Sequence, residues 1–219
     1  MATIECSAIL FDCDGVLVNS IASVERQWRK FAERHGLDPE HVIRTAHGHR
    51  TVETVHILMP DVDAAAEAAI VERNEIEDVE GLVAIDGAAE LLASLPRDRW
   101  AVVTSGTRAL ATRRLSAAGL PQPEHMVPAD EVTRGKPDPE PYLKGARLIG
   151  FDPTTCLVFE DAPSGIKSAR AAGSKVIGVP GTYTAEELKG ADGLVRSFRD
   201  VRARMNGSGK LEIELTPIG

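Results

Sequence analysis

The sequence is short of cysteine, of basic charge and of long apolar runs, and each shortage excludes something. Its three cysteines, Cys6, Cys13 and Cys156, are an odd number without Cys-x-x-Cys spacing. All three sit in or beside apolar stretches, so they read as small core residues in a reducing compartment. Lysine and arginine number 25 against 33 aspartates and glutamates, a net charge of −8. A field of that sign repels nucleic acid and anionic membrane, and no basic stripe offsets it. It also repels a phosphorylated small molecule, so such a substrate needs local cations or a metal. No apolar run approaches the roughly 18 residues of a membrane helix. Glu5, Asp12 and Asp14 fall where a signal peptide needs a basic start and an apolar middle, so the chain is expected in the cytoplasm.

What is present is ordinary globular material: 219 residues, 43% hydrophobic and 26% charged. Disorder, collagen and coiled coil are excluded, and one domain or two small ones fit the length. Four short apolar runs read as strands: Ala8–Phe11, Trp100–Val103, Cys156–Phe159 and Val176–Val179. Their apolar residues are continuous, as in strands buried on both faces of a parallel sheet. Helices are expected over about 107–118, 139–149, 163–172 and 185–190, with Pro139 at a first helical position and Thr184–Glu187 as a capping box. Strand–helix alternation predicts an α/β fold with a doubly wound, Rossmann-like parallel sheet.

Residues 17–84 break that rhythm. Ile21, Val24, Trp28, Phe31 and His35 recur at helical spacing, Asp38-Pro39 and Thr51 open further helices, and an alanine-rich helix runs from about 61 to 80. The expected organisation is a core of residues 1–16 and 85–219 with an all-helical insert over 17–84. Val201–Met205 and Leu211–Leu215 alternate around an Asn-Gly turn and read as a C-terminal β-hairpin. Covering a sheet edge is the simplest role for it.

Ligands of open α/β sheets bind beyond the carboxyl ends of the strands. After the predicted strands come Asp12-Cys13-Asp14-Gly15, Thr104-Ser105-Gly106-Thr107 and Glu160-Asp161, and Lys136 lies in the loop Arg134-Gly135-Lys136-Pro137. Four carboxylates on one sheet edge repel each other unless a cation joins them, and hard oxygen ligands favour Mg²⁺. Singly, each residue has a plainer role. Asp14 and Asp161 can cap helices, Thr104 can end a strand, and Lys136 can be a solvated loop lysine. Their joint placement favours a site.

Asp12-x-Asp14-Gly15-Val16, Thr104 after an apolar strand, Lys136 before a proline and Glu160-Asp161 after a strand resemble the four ordered motifs of the haloacid dehalogenase superfamily. His47-Gly48-His49-Arg50-Thr51, Trp100–Thr107, Arg134–Tyr142 and Val158–Gly165 are similar to the bacterial hexitol and sugar phosphatases. They are similar also to the fungal glycerol-phosphate and 2-deoxyglucose-6-phosphate phosphatases. The resemblance covers nearly the whole chain. It implies that the helical insert is a cap hinged near Val16–Ser20 and Ala84–Gly87, gating water and shaping the substrate pocket.

On this resemblance, Asp12 is the nucleophile that forms an aspartyl phosphate, and Asp14 the general acid and base. Mg²⁺ is held by the Asp12 carboxylate, the Asp14 backbone carbonyl and Asp161, with Glu160 as a supporting acid beside it. Thr104, the N–H groups of Ser105 and Gly106, and Lys136 bind the phosphate oxygens. In the cap, Arg50, His47 and His49 are candidates for facing the substrate. Asn19 either contacts substrate hydroxyls or satisfies the hinge backbone. Trp28 and Phe31 read as cap core.

The expected activity is a Mg²⁺-dependent phosphatase acting on small phosphorylated sugars or polyols, as a monomer. The alternative is a phosphomutase of the β-phosphoglucomutase type, which needs further cap cations for a second phosphate, whereas Lys30 is the only lysine of the insert. Asp14 argues against a dehalogenase, and the lack of lysine in 47–51 against a Schiff-base phosphonate hydrolase. Intact Asp12, Asp14, Lys136 and Asp161 argue against a non-catalytic binding module.

Overall fold

The computed structural model describes residues 2–218. Strand β1 (Ala2–Cys6) leads through Ser7 into β2 (Ala8–Phe11), and β3 (Val18–Asn19) enters the helical insert. The insert contains α1 (Ile21–His35), α2 (Pro39–Ala46), α3 (Thr51–Leu58) and α4 (Ala64–Glu77), and the chain returns through β4 (Val83–Ala84). Then follow α5 (Ala88–Ser94), β5 (Trp100–Val103), α6 (Arg108–Ala117), β6 (Met126–Val127) and α7 (Glu140–Leu148). The chain closes with β7 (Cys156–Glu160), α8 (Pro163–Ala171), β8 (Lys175–Gly178), β9 (Gly193–Leu194), β10 (Val201–Met205) and β11 (Leu211–Leu215).

The central sheet has the order β6-β5-β2-β7-β8-β9, and every pairing in it is parallel. Its continuous apolar strands divide their side chains between two cores, as the two-residue period of a strand requires. Ile9, Phe11, Trp100, Val102, Leu157 and Phe159 enter one core with α5 and α6. Leu10, Ala101, Val103 and Val158 enter the other, with Tyr142 and Ala146 of α7 and Ile166 and Ala169 of α8. Phe11 stacks on Phe159 at 5.5 Å, and Phe198 meets both rings edge-on. Burying such side chains contributes roughly 2–3 kcal/mol each. This centre fixes the strand ends that carry the site.

The insert has its own core, in which Trp28 meets Phe31 at 5.3 Å and both pack with Val42, Ile43, Val55 and Val71. Asp38 caps α2 ahead of Pro39, and Asp63 caps α4 through the N–H groups of Ala65 and Ala66. No strand was expected between 17 and 84, yet β3 and β4 pair antiparallel, Val18 with Ala84 and Asn19 with Val83. Two residues on each side are too few to leave a period in the sequence. Their pairing makes the insert leave and rejoin the core at one place.

Two other expectations change. Residues 185–190 form turns instead of a helix, although Thr184 and Glu187 do exchange their capping-box hydrogen bonds. Gly190, Ala191 and Asp192 follow at once, so the chain has no length in which to propagate a helix nucleated there. The hairpin β10–β11 forms, but its connection runs through 206–210, and the left-handed residue is Gly209. It covers a face of the central sheet, not an edge. β11 pairs with β1 as well as β10, and Leu211, Ile213 and Leu215 pack into the same core as Phe11 and Phe159.

Candidate active site

The carboxyl ends of β2, β5 and β7 converge. Asp12 follows β2 and stays in the ladder, its N–H donating to the Phe159 carbonyl at 3.0 Å. Thr104 follows β5 and donates its N–H to the Val127 carbonyl at 3.0 Å. Lys136, 3% exposed, is brought in from its loop. Its Nζ lies 3.1 Å from Asp12 Oδ1, 2.7 Å from Glu160 Oε1 and 3.1 Å from the Val103 carbonyl oxygen.

Glu160 is fully used as an anchor. Its Oε1 accepts from Lys136 and from the Tyr142 hydroxyl, each at 2.7 Å. Its Oε2 accepts from the N–H groups of Asp161 and Ala162, each at 3.1 Å. Gly165 makes room for this carboxylate, because a Cβ there would stand 1.7 Å from Oε1. Gly15 serves Asp161 similarly: it has φ +73°, and a Cβ on it would lie 2.0 Å from Asp161 Oδ2.

Oxygens of Asp12, Glu160 and Asp161 come within 4.8 Å of one another, all three side chains buried. Burial pushes the Asp12 carboxyl up to about 7, against the pull of Lys136. Burial also raises Asp161 well above the ordinary carboxylate range, and the nearby Asp12 and Glu160 charges add to it. Burial opposes the charge on Lys136, but Asp12 and Glu160 outweigh it and hold the ammonium above its ordinary value. Three carboxylates around one ammonium leave an excess of negative charge in a dry site, and the donors are all hard oxygens. That set fits Mg²⁺. With Glu160 saturated, Asp12 and Asp161 are the carboxylates left to hold it.

Asp14 sits beyond Asp12 with both oxygens engaged. Ser20 Oγ donates to Oδ1 at 2.6 Å, and Arg114 Nη1 donates to Oδ2 at 2.6 Å. Thr104 Oγ1 accepts from the Gly106 N–H at 3.1 Å, which leaves its own proton to donate. Asp12, Asp14, Thr104, Ser105, Gly106 and Asp161 line one cleft, roofed by Ile21, Val24 and Trp28 of α1 and by His47, His49 and Thr51.

The roof is docked on the core. The Gly48 carbonyl accepts from Ser164 Oγ at 3.0 Å and Ser105 Oγ at 3.5 Å, and the His47 carbonyl accepts from the Tyr183 hydroxyl at 3.3 Å. His47 is a proposed contact that does line the cleft, and burial lowers its pKa. His49 lines it too, its Nδ1 3.1 Å from the His47 carbonyl oxygen.

Three expected contacts are absent from the cleft lining: Lys136, which lies behind Asp12, and two that are placed elsewhere. Arg50 points away from the cleft, donating from Nη1 to the Val132 carbonyl at 3.1 Å and from Nη2 to the Thr133 carbonyl at 3.2 Å, and pairing with Glu53. Asn19 is exposed on β3 and does not line the cleft. The site also holds residues that sequence reasoning passed over: Ser20, Glu75, Arg114 and Thr182 line the cleft, and Ser164 docks its roof. Ser164 lies inside the quoted Val158–Gly165 motif and was findable there. Arg114 sits on a polar helix stretch with no motif to mark it.

Residues 6–173 match the family of haloacid dehalogenase-like hydrolases. The chain is 40% identical to hexitol phosphatase A of Escherichia coli over 214 residues, covering 95% of this chain and 99% of that protein. It is 36% identical to glycerol-1-phosphate phosphohydrolase 1 of Saccharomyces cerevisiae, over 97% of this chain and 91% of the relative. Among solved structures, a hydrolase from Pseudomonas syringae superimposes with a TM-score of 0.79 at 26% identity, over 87% of this chain and 94% of that one.

Proposed function

The chain belongs to the haloacid dehalogenase-like hydrolases, and on that premise we propose a Mg²⁺-dependent phosphatase of small phosphorylated sugars or polyols, working through an aspartyl phosphate. The observation that carries this reading is the burial of Asp12, Asp161 and Lys136 together at the strand ends beneath a docked helical roof. The names of the relatives, a hexitol phosphatase and a glycerol-1-phosphate phosphohydrolase, support the substrate class.

The Asp12 carboxylate attacks phosphorus in line, and the bond from phosphorus to the substrate oxygen breaks. Asp14 gives its proton to the departing alkoxide and then takes one from the water that hydrolyses the aspartyl phosphate. The Thr104 hydroxyl, the Ser105 N–H and the Lys136 ammonium bind the non-bridging oxygens, whose charge they stabilise in the transition state, while the Gly106 N–H is engaged by Thr104 Oγ1. Asp12, Asp161 and the Asp14 carbonyl would hold Mg²⁺, which when bound offsets the charge between nucleophile and phosphate. His47, His49 and Thr51 offer hydrogen bonds to hydroxyls, and Ile21, Val24 and Trp28 offer apolar surface to a carbon skeleton.

In this reading, residues 17–84 are a cap on a core of 1–16 and 85–219, swinging where β3 and β4 pair. The enzyme acts as a monomer in the cytoplasm. No helix of the described residues is long and apolar enough to cross a membrane, and all three cysteines are free and buried. The test is phosphate release from hexose, hexitol, pentose and glycerol phosphates, with Mg²⁺ and with EDTA. Metal-dependent release concentrated on sugar or polyol phosphates is expected. Conversion of β-glucose 1-phosphate to glucose 6-phosphate without phosphate release would make the chain a mutase.

A further inference from the structure

A buried ion pair in the cleft wall has no part in the chemistry above. Arg114 of α6 and Glu75 of α4 are each 3% exposed. The Arg114 guanidinium bridges two carboxylates, with Nη1 2.6 Å from Asp14 Oδ2 and Nη2 3.2 Å from Glu75 Oε1. Its Nε is buried with no hydrogen-bond partner among the described residues. The adjacent Arg113 donates from Nε to the Ile76 carbonyl at 3.3 Å. Two consecutive residues of a core helix therefore grip two consecutive residues of a helix in the insert. Two charges and one unpaired N–H have been taken out of water here, while the Asp14 side chain keeps 27% of its surface exposed. Such groups replaced by apolar side chains of similar size are often neutral or stabilising, so stability alone is a weak reason for the arrangement.

The bridge instead bears on orientation. Ser20 occupies Oδ1 of Asp14 and Arg114 occupies Oδ2, so the carboxylate is fixed at both oxygens. Ser20 stands at the entry to α1, and Arg114 is fixed in turn by Glu75 on α4. We propose that Arg114 is a positioning residue for Asp14, and that Glu75 makes this positioning depend on α4 lying against α6. With α4 docked, Glu75 orients the guanidinium and the guanidinium aims Asp14. With α4 withdrawn, Arg114 keeps only one of its two carboxylate partners and Asp14 loses its fixed aim.

This inference rests on the phosphatase reading, in which the proton of Asp14 passes to the ester oxygen as the oxygen keeps the bonding pair and phosphorus bonds to Asp12. Such proton transfer matters for an alkoxide and hardly for p-nitrophenolate, which leaves unaided. The experiment compares kcat/KM, which reports the chemistry up to departure of the leaving group, for glycerol 1-phosphate and for p-nitrophenyl phosphate. The variants are Arg114→Met, Arg114→Lys and Glu75→Met.

Proton transfer from a positioned acid is worth about 10²–10⁴. Arg114→Met is expected to lower kcat/KM for glycerol 1-phosphate at least about tenfold more than for p-nitrophenyl phosphate, and Arg114→Lys to restore part of the difference. Glu75→Met should show the same selective loss on a smaller scale, and it decides the matter if Arg114→Met does not fold. Equal losses on both substrates would mean a merely structural pair and overturn the proposal. A wild-type protein that releases no phosphate from either compound would bring down the phosphatase reading and this inference with it.

Discussion

Lys136 reaches Glu160 at 2.7 Å, closer than the 3.1 Å that separates it from Asp12. The ammonium is therefore held from behind by a carboxylate, both groups lie outside the cleft lining, and only its remaining hydrogen-bonding capacity faces Asp12. Glu160→Gln removes that anchor's charge in a fully buried place. Breaking such a pair costs about 3–5 kcal/mol, so a thermal melt should drop by several degrees and turnover should fall with it. An unchanged melting temperature would show that Lys136 does not depend on Glu160.

Asp12→Asn keeps the side-chain volume and removes the proposed nucleophile. Turnover of every phosphate ester should fall by about 10³ or more, with the circular dichroism spectrum unchanged. Retained Mg²⁺-dependent phosphate release would remove Asp12 from the chemical step.

The raised proton affinity of Asp12 predicts a pH-dependent metal site. Without metal, its carboxyl is protonated below about 7, and that of Asp161 is raised as well. Mg²⁺ must displace those protons, so affinity should weaken about tenfold or more per pH unit as pH falls below 7. Calorimetry in buffers of different ionisation heat would measure the protons released. The same shift sets the sign for stability. An acid with a raised folded pKa stabilises the fold below its unfolded value, and that contribution is lost as pH rises through about 7. EDTA-treated protein should therefore melt lower at pH 8 than at pH 6, and Mg²⁺ should recover the difference.

Gly48 has φ +77°, and a Cβ there would lie 2.7 Å from Ser164 Oγ and 2.8 Å from the Ala162 Cβ. Gly48→Ala should keep the roof from seating on the core domain while leaving all three hydrophobic cores intact. The expected result is a fall in kcat/KM of about tenfold on any phosphate ester, with the melting temperature lowered by the few degrees that a Cβ at positive φ costs. A variant with normal kinetics would show that the docked position is not the working one.

Arg50 holds the start of α3 to the 132–133 loop and does not line the cleft. Arg50→Ala should lower kcat/KM for sugar phosphates and for p-nitrophenyl phosphate by similar factors. A rise in KM confined to the sugar phosphate would place the guanidinium on the substrate during turnover.

The residue types of the candidate site were legible because a parallel sheet delivers whatever follows its strands to one edge. Asp12, Thr104 and Glu160-Asp161 follow apolar runs whose continuity already marks them as buried on both faces. The first three predicted strands, the helices after them and the four-helix insert were likewise written locally, in apolar period, caps and prolines. The pairing of β3 with β4, the seat of the hairpin on a sheet face and the outward turn of Arg50 were not. Each depends on a partner distant in sequence: Val83 for Asn19, Leu215 for Ala2, Val132 for Arg50. The sequence by itself determined which groups stand at the strand ends and hence the class of chemistry. Only the tertiary structure decided which of them stay open to a ligand. Glu160 is taken up by four donors, whereas Asp14 has one donor on each oxygen, one of them an arginine 100 positions away, and still lines the cleft. Hydrogen-bond saturation is a property of packed neighbours, and no local pattern of residues records it.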